Sequence, residues 1–298
     1  EHGAPGSQNL KLTRKYYTED MPDGRVKHIV QNITDPDIVP YIPDGIGNST
    51  DRQRIPAVLI IPGGAFRRLV YNFEGEDVAK WLNSMGIAAF VLECRLPSDE
   101  HDNAEDVPLI DAMRAMRVIR GRAQEFGIDE AKIGVMGFSA GGFMAALLST
   151  AYESDVYADY KYKDEYDKLS ARPDFAVCSY PVISIDDCIE AGKRYMSEEQ
   201  VLERISDSKA KILHKYNPDK LVRPDMPPVF ICETDDDRTT LSENSVGFYM
   251  AARKAGVSAE LHIFRTGGHG YGCGDDFAQT GEWKVLFTKW IKSIGIIS

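Results

Sequence analysis

The stretch that decides the reading runs from Ile133 to Leu148, IGVMGFSAGGFMAALL. A short apolar run (Ile133, Val135, Met136) meets Gly137-Phe138-Ser139-Ala140-Gly141, and a pattern of small residues at helical spacing follows. This is G-x-S-x-G in a context of strand, tight turn and helix. Such a turn strains the backbone of its central residue, so the neighbours must lack bulk, and Gly137, Gly141 and Gly142 meet that need. Ser139 would stand exposed with a helix N-terminus and its free N–H groups behind it. That setting suits attack on a carbonyl, where negative charge grows on oxygen. A Gly/Ser-rich loop that only packs a helix on a sheet has the same composition, so the rest of the chain must decide between the two.

Outward from this turn, apolar runs and helical patterns alternate. Ala57 to Ile61 reads as a strand buried on both faces and ends in Pro62-Gly63-Gly64-Ala65-Phe66. Glu74 to Met85 has helical spacing and stops at Gly86, Ile87 to Cys94 is a second buried strand, and Pro108 to Phe126 is an amphipathic helix ended by Gly127. Beyond the Ser139 turn, Phe175 to Tyr180, Pro227 to Glu233 and Ala259 to Phe264 read as strands, while Ser242 to Ala255 and Glu282 to Ile294 read as helices. The alternation predicts a mostly parallel central sheet with helices on both faces, whose sites form at the carboxyl ends of the strands. Ahead of it, Leu12 to Tyr17 and Val26 to Ile33 flank Pro22-Asp23-Gly24 as an antiparallel hairpin, and Pro36, Pro40 and Pro43 carry an irregular loop to Asn48. Residues 1–9 read as a flexible lead-in. Residues 152–172, rich in Tyr and charge, read as a surface insertion or a lid, and residues 185–215 as a small helical cap. The whole chain is expected to form one domain.

The 298 residues can bury a substantial core. A net charge of −11 argues against nucleic-acid and anionic-membrane partners, which need a basic surface. Apolar stretches such as Gly86 to Leu92 are too short to span a bilayer. Five cysteines (Cys94, Cys178, Cys188, Cys232, Cys273) are scattered without a C-x-x-C pair, which predicts a reducing, cytoplasmic setting; a secreted one is the alternative if a leader preceded Glu1. A homodimer is left open.

A serine hydroxyl needs a base within hydrogen-bond reach, and the base needs an anion to fix its tautomer. Of six histidines, His2 and His28 precede the parallel core, His101 lies in a polar loop, His214 in the cap and His262 inside a strand. His269 alone sits in a glycine-rich loop directly after a late strand. The acid belongs after the preceding strand, where Asp235, Asp236 and Asp237 stand together and spacing alone does not choose among them. Ala140 supplies one backbone donor for an oxyanion, and the Gly63-Gly64-Ala65 loop should supply the second.

At this point PGGAF, WLNSMGIAAFVLECRL, PLIDAMRAMRVIR, IGVMGFSAGG and GGHGYG, taken in order, resemble the α/β-hydrolase esterases of the group called BD-FAE or acetylxylan-esterase-like. The resemblance runs from about Ile55 to the C-terminus. It implies an α/β-hydrolase fold and a cofactor-free carboxylic ester hydrolase for small acyl groups, often acetyl on plant-polysaccharide sugars; separately, no His-Glu-x-x-His or clustered Cys/His spacing points to a metal. Ser139 matches the nucleophile and His269 the base. Aligning Glu243-Asn244-Ser245 with the family's segment places the acid at Asp237, and Gly63, Gly64 and Ala140 match the oxyanion hole. The chain departs from the pattern at Ala65, where the family has a third glycine, at Cys94, where an aromatic is usual, and at Thr234, where the acid loop usually opens with glycine. Two other readings compete: a small serine peptidase of prolyl-oligopeptidase type, which lacks room here for its gating domain, and a non-catalytic binding protein on the same scaffold.

Overall fold

The computed structural model describes residues 4–45, 54–158, 164–194, 196–197, 199–201, 210–274 and 279–298. The strands are β1 (Lys15–Asp20), β2 (Val26–Gln31), β3 (Asp37–Tyr41), β4 (Ile55–Ile61), β5 (Leu69–Val70), β6 (Ala88–Glu93), β7 (Ile128–Phe138), β8 (Ala176–Ser179), β9 (Val229–Thr234) and β10 (Ala259–Phe264). The described helices are α1 (Asp77–Ser84), α2 (Val107–Gly121), α3 (Ala123–Phe126), α4 (Ala140–Ala151), α5 (Ile185–Lys193), α6 (Ala210–Lys215), α7 (Ser242–Lys254) and α8 (Glu282–Ser293). None of them is long and apolar enough to cross a membrane.

Seven strands form the central sheet in the order β3-β6-β4-β7-β8-β9-β10. All neighbours are parallel except β3, which pairs antiparallel to β6. Because side chains alternate along a strand, each central strand feeds two cores. Ala57, Leu59 and Ile61 of β4 join Phe143 and Leu147 of α4 and Met113 and Met116 of α2 on one face. Val58 and Ile60 join Val78 and Leu82 of α1 and Trp283, Phe287 and Trp290 of α8 on the other. The uninterrupted apolar runs legible in the sequence are the consequence of this double burial. A smaller three-stranded sheet, β1-β2-β5, carries the expected hairpin.

Two expectations change. The proline-rich segment before residue 46 is not wholly irregular, since Asp37–Tyr41 forms the edge strand β3, with Pro40 opposite Phe90. An edge strand tolerates proline because the missing N–H can fall on its unpaired side. Of the expected flexible lead-in, residues 4–7 pack onto the loop after β6 while Gln8 and Asn9 are exposed; residues 1–3 lie outside the described residues. Ser7 Oγ is 3.0 Å from His101 Nδ1 and accepts from Arg95 Nη1 at 3.1 Å, while Asp102 N donates to the Gly6 carbonyl at 2.9 Å. The described part of the 152–172 insertion lies along α2, where Arg114 pairs with Asp164 and Asp167, and Arg117 Nε donates to the Leu169 carbonyl. Those contacts hold its described part against the helical layer. In the 185–215 segment, α5 follows the carboxyl end of β8, and Lys215 at the end of α6 pairs with Asp106, which precedes α2. Residues 202–209 of that segment lie outside the described residues.

Arg95 and Asp111 are fully buried and bidentate, with Nη2 to Oδ1 at 2.6 Å and Nε to Oδ2 at 3.0 Å. Removing one partner strands the other charge in an apolar setting. Arg95→Leu should therefore cost about 3–5 kcal/mol in urea unfolding, and the double change with Asp111→Leu should recover most of that loss. A single-variant loss under about 1 kcal/mol would show the pair to be hydrated and unimportant to the fold.

Candidate active site

Five adjacent strands, β4, β7, β8, β9 and β10, deliver one residue or loop each to the same edge of the sheet. At the end of β7, Ser139 takes φ 54° and ψ −119°, a backbone region that only strong support sustains in a non-glycine residue. The support is close packing. A Cβ on Gly137 would stand 1.9 Å from the Gly141 carbonyl oxygen, and one on Gly141 would stand 1.9 Å from the Ile61 carbonyl oxygen. Glycine at both positions lets α4 begin directly against β4 and β7. Ser139 N donates to the Ser179 carbonyl at 3.0 Å, and the Ser139 carbonyl accepts from Phe143 N at 3.1 Å.

The Ser139 hydroxyl lies 2.8 Å from His269 Nε2, and His269 Nδ1 lies 2.7 Å from Asp237 Oδ2. Asp237 Oδ1 accepts from the amides of Thr239 at 2.7 Å and Thr240 at 2.9 Å. Burial alone would raise the Asp237 carboxyl, yet the hydrogen bond and charge of His269 with these two amides outweigh it and hold the carboxyl below its usual range. An ionised Asp237 only accepts, so it fixes the proton on Nδ1 and leaves Nε2 free to accept from Ser139. Asp237 is buried while Asp235 and Asp236 are exposed, which separates three acids that spacing left equivalent. Asp236 has a different contact, accepting from Gly268 N at 2.8 Å, while Thr234 Oγ1 donates to the Gly268 carbonyl at 2.9 Å. Both hold the loop on which His269 rides.

The donors expected for an oxyanion divide. Ala140 N–H opens α4, and neither it nor the Gly64 N–H has an acceptor among the described residues. The Gly63 N–H is not available, because it donates to Glu74 Oε2 at 2.8 Å. A buried carboxyl under this loop escaped the sequence reading, which placed Glu74 at the start of a helix; the residue lies in the π-type turn Asn72–Glu76 that precedes α1. Tyr180 also escaped it. Its hydroxyl donates to Glu74 Oε1 at 2.9 Å and accepts from Gly272 N at 3.0 Å, and its ring meets the His269 imidazole edge-on at 5.0 Å. Neither residue belongs to a short motif, so only the side chain's company in space marks it.

A parallel sheet of this order, a nucleophile elbow after β7 and a Ser–His–Asp row in that chain order define an α/β hydrolase. Residues 46–251 match the BD-FAE family model, and the chain belongs to that family. An acetylxylan esterase of Xylanibacter ruminicola is 31% identical over 240 residues, covering 80% of this chain and 45% of that protein. Endo-1,4-beta-xylanase B of Butyrivibrio fibrisolvens is 31% identical over 227 residues, covering 76% and 34%. The chain thus spans less than half the length of these curated relatives. Among solved structures, an acetyl ester-xyloside bifunctional hydrolase from Caldicellulosiruptor lactoaceticus superposes with a TM-score of 0.72 at 38% identity, covering 88% of this chain and 89% of that one. A carboxylesterase from Lactobacillus plantarum, 20% identical, shares the fold at a TM-score of 0.72 over 96% and 99% of the two chains.

The geometry separates the three acids experimentally. Labelling of Ser139 by a fluorophosphonate should slow by about 10³-fold or more in Asp237→Asn and stay within a few-fold of wild type in Asp235→Asn. Equal slowing in both would show that the acid loop has been assigned wrongly.

Proposed function

We propose that this chain is a serine carboxylic ester hydrolase that works through an acyl-enzyme on short-chain, chiefly acetyl, esters of sugars or polysaccharide fragments. The observation that carries the reading is the continuous row from Ser139 Oγ through His269 to Asp237, at 2.8 and 2.7 Å, with the serine raised on a strained turn. His269 Nε2 takes the hydroxyl proton as Ser139 Oγ attacks the ester carbonyl. The tetrahedral oxyanion is met by the N–H groups of Gly64 and Ala140, and Asp237 stabilises the imidazolium that forms. His269 then gives its proton to the departing sugar oxygen. Water repeats the sequence against the acyl-Ser139 ester, releasing the carboxylic acid and restoring the serine. Every group required comes from one chain.

Two considerations favour a small acyl group. The cavity between the Gly63 loop and the start of α4, lined by Gly63, Phe66, Leu96, Ala140 and Met144 among others, has a volume of only about 10 Å³, room for one water-sized group. The relatives named for acetyl ester or acetylxylan hydrolysis are 38% and 31% identical to this chain. We also read α5 and α6 as part of a small cap on the rim of the site. The free, buried thiols of Cys94, Cys178, Cys232 and Cys273 favour a cytoplasmic setting over a secreted one.

Turnover of p-nitrophenyl acetate, butyrate and octanoate tests both halves of the proposal. Activity should fall by about tenfold or more from acetate to octanoate, because a packed pocket resists added methylenes. Ser139→Ala should lose about 10⁴-fold or more on acetate. Octanoate turned over as fast as acetate would overturn the small-acyl assignment, and full activity in Ser139→Ala would overturn the serine mechanism. Release of acetate from acetylated xylan then tests the sugar side.

A further inference from the structure

Resting on the ester-hydrolase reading, we propose that Glu74, bridged by Tyr180, is a positioning residue that sets the Gly63–Gly64 peptide as an oxyanion donor and ties it to the loop carrying His269. The case begins with the backbone of the two glycines. Gly63 N donates to Glu74 Oε2 at 2.8 Å, and the Gly63 carbonyl accepts from Val70 N at 2.9 Å. The Gly64 carbonyl accepts from Arg67 N at 3.2 Å and Arg68 N at 3.3 Å. Of the four backbone polar groups, only the Gly64 N–H has no acceptor among the described residues. In a trans peptide that N–H points opposite to the Gly63 carbonyl, so the bond from Val70 N to that carbonyl sets its direction. Glu74 holds the preceding peptide by the Gly63 N–H and so fixes Gly63 from its other side.

The contact is tight. A Cβ on Gly63 would stand 2.7 Å from Glu74 Oε2 and 2.9 Å from Ser139 Cβ, so the loop is wedged between the carboxyl and the nucleophile. Glu74 is buried, and desolvation raises its carboxyl above the usual range against the pull of His269 and its two donors. A buried carboxyl is an expensive way to fill space, where an apolar side chain of similar volume would serve packing as well. Its two oxygens instead take two hydrogen bonds, one from each side of the site.

The second oxygen leads to Tyr180, whose contacts reach the other parts of the site. Its hydroxyl joins Glu74 Oε1 to Gly272 N, three residues past the base, and its ring lies against the imidazole. Its carbonyl accepts from Thr240 Oγ1 at 3.3 Å, and the same hydroxyl lies 3.0 Å from Asp237 Oδ2. Tyr180 itself sits at φ 37°, held by its N–H on the Cys232 carbonyl at 2.7 Å. Oxyanion loop, base loop and acid loop therefore share one hydrogen-bonded bridge. Moving Glu74 moves a donor that must meet charge appearing only in the transition state, so the effect belongs on kcat and not on ground-state binding.

The test uses Glu74→Met, which keeps the volume and removes both acceptors, and Tyr180→Phe, which keeps the ring and removes the bridge. Wild-type hydrolysis of p-nitrophenyl acetate comes first, because its absence would overturn the ester reading and this inference with it. Glu74→Met should lower kcat by about 30- to 100-fold with KM within about threefold, and Tyr180→Phe by about tenfold. The inhibition constant of an alkyl trifluoromethyl ketone, whose adduct carries an oxyanion, should rise by the same factors. Glu74→Gln, which keeps an acceptor for Gly63 N–H, should recover most of the loss. Folded Glu74→Met with wild-type kcat and unchanged ketone inhibition would overturn the proposal. If Glu74→Met does not fold, Tyr180→Phe decides, and wild-type values there would overturn it equally.

Discussion

The site depends on a backbone strain held by close packing. Ser139 at φ 54° is tolerable because Gly137 and Gly141 let α4 seat against the ends of β4 and β7 without side chains between them. That packing puts the first N–H groups of a buried helix beside the serine hydroxyl and aims the hydroxyl away from the sheet. Side chains at the two glycines would push α4 off the strand ends and carry the Ser139 hydroxyl away from His269. The strain is stored in the turn by the double-sided core beneath it.

The sheet supplies the remaining order. Because β4, β7, β8, β9 and β10 are neighbours and parallel, all five carboxyl ends open on one edge. Loops that follow them bring Ser139, His269 and Asp237 into one hydrogen-bonded row and join Gly63 to Tyr180 through Glu74. The acid and base loops are anchored by their own bonds, such as Asp236 to Gly268 N and Asp237 to the amides of Thr239 and Thr240. Donors held this way have no reorganisation to undergo when charge develops.

Buried polar groups are concentrated near this edge. Asp237 and Glu74 are both shielded from water, yet their carboxyls shift in opposite directions. Two backbone amides and the imidazole hold Asp237 low, whereas burial dominates for Glu74. An ionised acid is what an imidazole needs to fix its tautomer, while a carboxyl used to seat a loop needs only its acceptor oxygens. The buried Arg95–Asp111 pair, by contrast, joins the loop after β6 to α2 and to the packed N-terminal residues.

Much of the architecture was legible in sequence because it rests on local rules. Continuous apolar runs announced strands buried on both faces, G-x-S-x-G announced the elbow, and one histidine stood in a glycine-rich loop after a late strand. What escaped depends on partners far apart in the chain. Glu74 meets Tyr180 across 106 positions, and Ser7 meets His101 across 94. No periodicity records such a meeting. The choice of Asp237 over its two neighbours came in sequence from a resemblance and in space from burial, since three adjacent carboxyls differ only in which one the turn points inward. Gly63 looked like an oxyanion donor because its sequence neighbours allow it, and the fold gave that N–H to Glu74 instead. Sequence by itself determined which residues could do the chemistry, through local geometry and residue type; tertiary structure alone decided which of them point at one another, because direction is set by packing between segments that the chain order keeps apart.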